Sequence, residues 1–524
     1  MSSQDVAAIR AAETMPALFA EALEAARKGV APHLAQRPDI PVPADAGGGY
    51  THEQHKRNSL VILNAGMLYL VTGEQAYADL ARDMLLAYAE LYPTLGEHPK
   101  KKEQTPGRLF WQSLNEAVWL VYAIQGYDAV VDTLSAQHRT HIENNLLRPM
   151  ADFLSVESPQ TYDRIHNHGT WAVAAVGMTG YVIDDEDYVL TALYGLKKDG
   201  SAGFLKQLDE LFSPDGYYAE GPYYQRYALM PFVVFAAAIQ QNEPERRIFE
   251  QRDNILQKAI KVTAQLSYAG KFFPLNDAIK DKGLDTVELA YGAVIAFGLT
   301  GDDSLLSLID PDAPLILTGD GLEVARAIES GEVEAFNFRT MLLRDGASGD
   351  RGALSILRDG DSTDGSAVVF KATSQGMGHG HFDRLNWLYF DNGHEVISDY
   401  GAARFLNVVQ KNGGHYLPEN NAWAKQSIAH NTLVVDQASH FGGDWKQAPH
   451  LLGNRRIAAR RPGPPHPLDE RLAPGSGLPK RRLEARIRLR QPLTVQDVAN
   501  EGQGEVGLDA TGAARDDREG PGGG

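Results

Sequence analysis

The hydrophobic rhythm of this chain changes once, near Ala335, and that change limits the folds open to it. Before it, apolar residues recur at three- and four-residue spacing, the period of a helix with a buried face. The stretches 58–73, 76–93, 109–131 and 139–154 carry this pattern, with Gly or Pro between them. WAVAAVGMTGYV and LMPFVVFAAAIQ are apolar on more than one side, which predicts two layers of packed helices. No strands alternate with these segments, which disfavours a doubly wound sheet. No short repeat is visible, so a solenoid is not supported, whereas helical hairpins closing into a ring fit. After Ala335 the segments 336–345, 353–360, 366–373, 386–401 and 430–437 are short and rich in β-branched or aromatic residues. Asp-Gly, Asn-Gly and Gly-rich turns separate them, so they predict antiparallel strands. The expected architecture is α+β, with a helical domain over 1–335 and an antiparallel β domain over 336–452.

The chain of 524 residues is long enough for several domains, and its 43% hydrophobic and 23% charged content is that of a globular protein. It has no cysteine, which excludes disulfides, thiolate metal sites and a cysteine nucleophile. A net charge of −18 argues against non-specific nucleic-acid binding. That charge is uneven. Residues 453–524 hold 13 Lys+Arg against 10 Asp+Glu, leaving 37 against 58, or −21, before them. This last stretch has 12 Arg, 8 Pro and no aromatic residue, a composition that cannot supply a packed core. It reads as a disordered basic tail or as a frame-shifted stretch, and the second reading is preferred. The β domain then stops abruptly near residue 452. The first thirty residues show no basic region followed by an apolar core, and no run approaches a membrane span. The expectation is a cytoplasmic protein without membrane association, or a periplasmic one whose export signal has been removed.

Three clusters could carry chemistry. Arg164, His166, Asn167 and His168 fall within five residues at an expected helix start. Such a set can hold a carboxylate by charge and hydrogen bonds, or it can simply cap a helix. Residues 213–227, SPDGYYAEGPYYQRY, place five tyrosines in eleven residues beside Glu220 and Arg226. Tyrosines can line a sugar groove, and a phenol can transfer a proton; an aromatic core is the competing reading. Third come Gly378-His379-Gly380-His381 with Asp383 and Arg384, joined by Asp399, His415, Tyr416 and His430. On a strand, His379 and His381 would share a face. Histidine and carboxylate ligands suit zinc, and spacing alone does not separate a structural site from a catalytic one or from unlinked histidines. No Walker loop, GxSxG elbow or HExxH is present.

The stretches RIHNHGTW, DGYYAEGPYYQRYA, GMGHGHFDRLNW, NGHEVISDYGAARF, NGGHYLPENNAW and SIAHNTLVVD, in this order, resemble the alginate lyases of polysaccharide lyase family 17. More broadly they resemble the heparinase II/III-like superfamily, over roughly residues 40–450. The resemblance implies an (α/α) toroid followed by antiparallel β-sheets. It implies cleavage of uronate polymers by β-elimination, exolytic with release of an unsaturated monouronate. Carried over residue by residue, it makes Asn167 and His168 the pair that neutralises the substrate carboxylate. Tyr224 becomes the main proton-transfer residue and Tyr416 its partner, with His168, Arg226 and His379 as cations favouring a phenolate. Lys102, Arg164, Tyr217, Arg226, His379 and Arg404 are the expected substrate-binding residues. A structural zinc maps onto His381, Asp399 and His430, and no organic cofactor is expected. The strongly acidic chain needs a local basic lining to hold a polyanion, for which Lys101, Lys102, Arg164, Arg226, Arg384 and Arg404 are candidates. The expected partners are alginate oligosaccharides or other uronate polymers, with a homodimer allowed for. A glycosaminoglycan lyase, a non-catalytic oligouronate-binding protein and a zinc hydrolase are the alternatives.

Overall fold

The computed structural model describes residues 1–448 except 2, 13, 280, 310–314, 360–364, 405 and 407–416, together with two strands at 486–489 and 506–509. The described chain forms two compact units. One comprises Met1–Phe273 and Asp281–Asn337; the other comprises Pro274–Lys280, Phe338–Leu406 and the described residues that follow.

The first unit is helical. Five helices, Tyr50–Thr72, Ser113–Val130, Asn167–Val182, Pro222–Asn242 and Val287–Thr300, each pack against the next. Helices Gln75–Leu91, Glu186–Tyr194 and Gln251–Gln265 lie against this row as a second layer. Helix Gly319–Ser330, which packs on the last of the row, also meets Ala17–Ala35, which packs on the first. The two-layer reading of the apolar pattern therefore holds. Helix Asn167–Val182 is buried on nearly every side, which is why its sequence shows no polar stripe. Tyr50–Thr72 and Ser113–Val130 touch through glycine. A Cβ on Gly66 would lie 2.8 Å from the Gly126 carbonyl oxygen, and one on Gly126 would lie 2.5 Å from that of Ile62. The 139–154 stretch, expected as one helix, passes through a π-turn at Glu143–Leu147 just before Pro149, which has no N–H to donate. A short hairpin, β1 (Ser267–Tyr268) and β2 (Lys271–Phe272), leads out of the unit.

The second unit is built on a five-stranded antiparallel sheet in simple meander order. Its strands are β3 (Met341–Arg344), β4 (Ala353–Arg358), β5 (Ala367–Ala372), β6 (Asn386–Asp391) and β7 (His394–Ile397). The register pairs Leu354 with Lys371 and Lys371 with Asn386, so these three share one face with Ile356, Val369 and Leu388. This face is apolar along most of its length and polar at the Lys371–Asn386 end, where the histidine cluster assembles. Segment 430–437, expected as a strand, is not one. Asn431 instead bonds Trp387 and Ser398 carbonyls through its Nδ2, and Asp436 and Gln437 adopt positive φ in a turn closed by a Val435–Ala438 bridge. Strands β8 (Arg486–Leu489) and β9 (Val506–Asp509) pair with each other. The remaining residues of the expected tail lie outside the described residues. Among the described residues, no helix is long and apolar enough to cross a membrane.

Candidate active site

In the helical unit, the sequence places its polar residues at the starts of two neighbouring helices. Asn167 is the first residue of Asn167–Val182, and His166 caps that helix by accepting the His168 N–H at Nδ1, 3.3 Å away. Tyr224 is the third residue of Pro222–Asn242, which opens with Gly221 at φ 92° followed by Pro222. Both groups therefore sit in a first helical turn, where backbone N–H groups and the helix dipole favour negative charge. Glu220 ties the two starts together. This carboxylate is buried and accepts from Asn167 Nδ2 at 3.0 Å and from the Tyr218 hydroxyl at 3.1 Å, with His166 Nε2 3.6 Å away. Burial, together with the neighbouring Glu220 charge, raises Tyr218 well above the usual phenol range, so it stays a neutral donor. Asn167 Oδ1 is buried and has no hydrogen-bond partner among the described residues.

The tyrosine-rich motif divides. Tyr217 and Tyr218 are buried at 1% and 0% exposure, with Tyr218 packed on Phe212, so this half of the motif is aromatic core. Tyr224, at 8%, meets Tyr223 edge-on at 5.1 Å between ring centroids. Arg226 is buried, forms an ion pair with Glu288, and stacks its guanidinium 4.4 Å from the Tyr223 ring centroid. Burial alone would lower Arg226, but Glu288 and Tyr223 outweigh it and raise the group further.

The expected basic lining is thinner than the sequence suggests, because most of those cations are already compensated or buried. Lys101 pairs with Glu97 at 2.7 Å. Arg404 makes a bidentate pair with Glu395, both contacts 3.0 Å, and donates to the Asp399 carbonyl. Arg384 is stacked 4.4 Å from the Phe441 ring centroid, and burial pulls it down to about 10. Arg226 and Arg404, expected to meet substrate, thus have their charge answered within the protein. Lys102 is half-buried beside Trp111, with its ammonium 3.5 Å from Gln112 Oε1, and burial lowers its pKa. Arg164 is exposed and makes no ion pair among the described residues. Tyr416 lies outside the described residues, as does His415.

In the β unit, His379 and His381 do not alternate along a strand. His379 ends a single 3-10 turn, Met377–His379, and the strand begins only at Asn386. Gly380 makes the turn possible, since a Cβ there would fall 1.3 Å from the Gln375 carbonyl oxygen. The two rings meet instead on Asp277. His379 Nδ1 lies 2.9 Å from one carboxylate oxygen and His381 Nε2 lies 3.0 Å from the other. Asn420 Nδ2 at 2.8 Å and Lys425 Nζ at 3.0 Å complete the shell. Burial works against the Asp277 charge, but the two histidines and Lys425 hold its carboxyl well below the usual carboxylate range. Sequence reasoning passed over Asp277, as it passed over the linking role of Glu220.

Next to this hub, His381, Asp399 and His430 are all buried, and one ligand atom from each lies within 4.8 Å of the others. His430 Nδ1 contacts Asp399 Oδ2 at 2.8 Å, Asn386 Nδ2 donates to the same oxygen at 2.6 Å, and the Gly401 N–H donates to Oδ1 at 2.9 Å. His430 Nε2 and His381 Nδ1 are buried without a hydrogen-bond partner among the described residues. Two orphaned imidazole nitrogens beside a carboxylate are a donor set that fits zinc.

Residues 34–272 match the alginate lyase family model, and residues 341–468 match that for the heparinase II/III-like C-terminal region. The chain is 62% identical over 444 residues to an exo-oligoalginate lyase of Saccharophagus degradans, covering 85% of this chain and 60% of that protein. It is 61% identical over 409 residues to an alginate lyase of Stenotrophomonas maltophilia, covering 78% and 55%. It therefore spans 60% or less of the length of these two curated relatives. Among solved structures, a heparinase III aligns with TM-score 0.49 at 14% identity, covering 80% of this chain and 63% of that one. The heparan sulfate lyase HepC from Pedobacter heparinus aligns with TM-score 0.46 at 13% identity, covering 82% and 62%. The family-model matches divide as the fold does, an alginate lyase match over helical residues and a heparinase II/III-like C-terminal match over the β residues. Residues 34–272 thus resemble alginate lyases.

Proposed function

We propose that this protein is an alginate lyase that cleaves alginate oligomers by β-elimination, acting from a chain end and releasing an unsaturated monouronate. The observation that carries the reading is the Glu220 link, which fixes Asn167 and the start of the Tyr224 helix relative to each other. The names of the two curated relatives, an exo-oligoalginate lyase and an alginate lyase, support it.

In such a reaction a base removes the proton at C5, the C4–O4 bond breaks as C4=C5 forms, and an acid delivers a proton to the leaving O4. The C5 proton is hard to remove while the neighbouring carboxylate keeps its charge, so that charge must be neutralised. Asn167 and His168 take this role in our reading. Glu220 engages the Asn167 Nδ2, and the amide oxygen left over is an acceptor, which suits a uronate held as the neutral acid. Tyr224 transfers the proton. An ordinary phenol titrates near ~10, so it needs help to act as a base. Tyr416 is its proposed partner. Lys102 and Arg164 are the cations best suited to meet the polyanion, with His379 contributing a ring nitrogen. The contact order of the helices supports reading the first unit as the (α/α) toroid.

We also propose a structural zinc held by His381, Asp399 and His430. When bound, it would cross-link the segments that carry these residues. A glycosaminoglycan lyase is the second reading, and the scarcity of uncompensated cations among the described candidates disfavours it, because sulfate groups call for more. Tyr224→Phe tests the proposal. Turnover of oligomannuronate should fall about 10²–10⁴-fold while oligomer binding stays within a few-fold; normal turnover would end the tyrosine mechanism.

A further inference from the structure

Asp277 belongs by sequence to the loop that follows the β1–β2 hairpin, yet it packs as part of the β unit. Its segment is tied there at three points. The Asp277 N–H donates to the His379 carbonyl at 3.2 Å, the Ala402 N–H donates to the Ala278 carbonyl at 2.9 Å, and Lys371 Nζ reaches Asn276 Oδ1 at 2.5 Å. Gly401 marks how close the approach is, since a Cβ there would lie 2.5 Å from the Ala278 oxygen. The backbone thus delivers one buried carboxylate, 1% exposed, between two histidines that lie 102 and 104 residues further along the chain.

The two histidines have different surroundings. His381 is fully buried and is one of the three candidate metal ligands. His379 is partly exposed, with 21% of its side chain accessible. An ionised carboxylate only accepts hydrogen bonds, so each imidazole must present an N–H to it. This fixes both tautomers. His381 donates from Nε2 and keeps its lone pair on Nδ1, the nitrogen without a hydrogen-bond partner. His379 donates from Nδ1. Histidines that bind metal are commonly oriented by a carboxylate at the other ring nitrogen, and here the same carboxylate also holds a second histidine.

We propose that Asp277 is a positioning residue shared by two sites, orienting His381 toward a bound zinc through one oxygen and His379 toward a sugar hydroxyl through the other. The His379 part rests on the alginate lyase reading; the His381 part does not. Metal occupancy and sugar binding are then linked through a single side chain. Lys425 and Asn420 keep that side chain ionised and in place without touching either ligand.

The test uses the whole chain with Asp277→Asn. Asparagine has the same shape but only one acceptor, so it cannot receive both N–H groups. Zinc affinity, measured by chelator competition, should fall about 10–100-fold. KM for oligomannuronate should rise, and in a His379→Ala background the same substitution should raise it no further. Wild-type zinc affinity in the variant overturns the proposal, as does a wild-type protein that takes up no zinc, and so do additive KM effects. If the variant does not fold, 15N-histidine spectra of the wild type decide. The His379 resonance, identified by its loss in His379→Ala, should show the Nδ1–H tautomer; the Nε2–H tautomer would refute the arrangement. A wild type that binds zinc but produces no unsaturated uronate removes the lyase reading, while the zinc and tautomer results still judge Asp277.

Discussion

The two units hold their functional side chains in opposite ways. In the helical unit, the candidate groups come from two short stretches, 164–168 and 217–226, each at the start of a buried helix. Helix caps and dense apolar packing place them, and the Glu220 carboxylate aligns the two starts. In the β unit, the cluster is gathered from four segments around Asp277, His379–Asp383, Asp399–Arg404 and Asn420–His430, held mainly by buried charge-assisted hydrogen bonds. Apolar packing is distributed over many contacts, so losing one polar group there should leave the fold intact and affect chemistry. A buried charged network fails when one member is removed, because the partner is left uncompensated. Substituting Tyr224 should therefore separate activity from stability, whereas removing a member of the second unit's network should not.

The largest expected effect is on turnover in the helical unit. Tyr224→Phe should lower kcat about 10²–10⁴-fold with an unchanged melting temperature; a large drop in melting temperature would break the contrast. Next comes His430→Ala, which removes a candidate zinc ligand and strands the Asp399 carboxylate, whose partner it is in a fully buried pair. Removing one partner of such a pair costs about 3–5 kcal/mol. Urea denaturation should show a loss of that order, and metal analysis should show less zinc; unchanged values for both would contradict the network. Glu220→Gln should be milder. It removes a charged hydrogen-bond acceptor worth roughly 1.5–3 kcal/mol from beneath Asn167, so kcat should drop by roughly ten- to a hundred-fold with KM little changed.

The smallest effect concerns pH. Glu116 is fully buried, and burial pushes its carboxyl up to about 7 although the Arg108 and Leu109 N–H groups and the Tyr92 hydroxyl donate to it. A carboxyl with a raised folded pKa contributes stability that is fully present below its ordinary value of 4.5 and is lost as pH rises through about 7. Glu116→Gln should flatten the stability profile across that window. An unchanged slope in denaturation at pH 5 and pH 8 would show that Glu116 does not titrate there.

Much of the helical half was legible because its cues are local. A helix start shows as a polar run before an apolar one, and Asn167 and Tyr224 sit at such places. The β half was legible in its strands but not in its connections. Gly380 forces a turn where alternation suggested a strand, and 430–437 gives up strand pairing for side-chain bonds from Asn431. Asp277 left no trace, because a lone Asp in a loop has no period and its partners lie more than a hundred residues away. Charge compensation was equally hidden. Arg226 and Arg404 look like polyanion ligands in a row of letters, and only the fold reveals Glu288 and Glu395 against them.

The most direct measurement is ultraviolet absorbance during incubation with oligomannuronate, with the products resolved by mass. Elimination creates a conjugated C4=C5 bond that hydrolysis does not. The account predicts rising absorbance in the wild type with unsaturated monouronate as the earliest product, and almost none with Tyr224→Phe. Saturated products, or no change from a protein that circular dichroism shows to be folded, would contradict it.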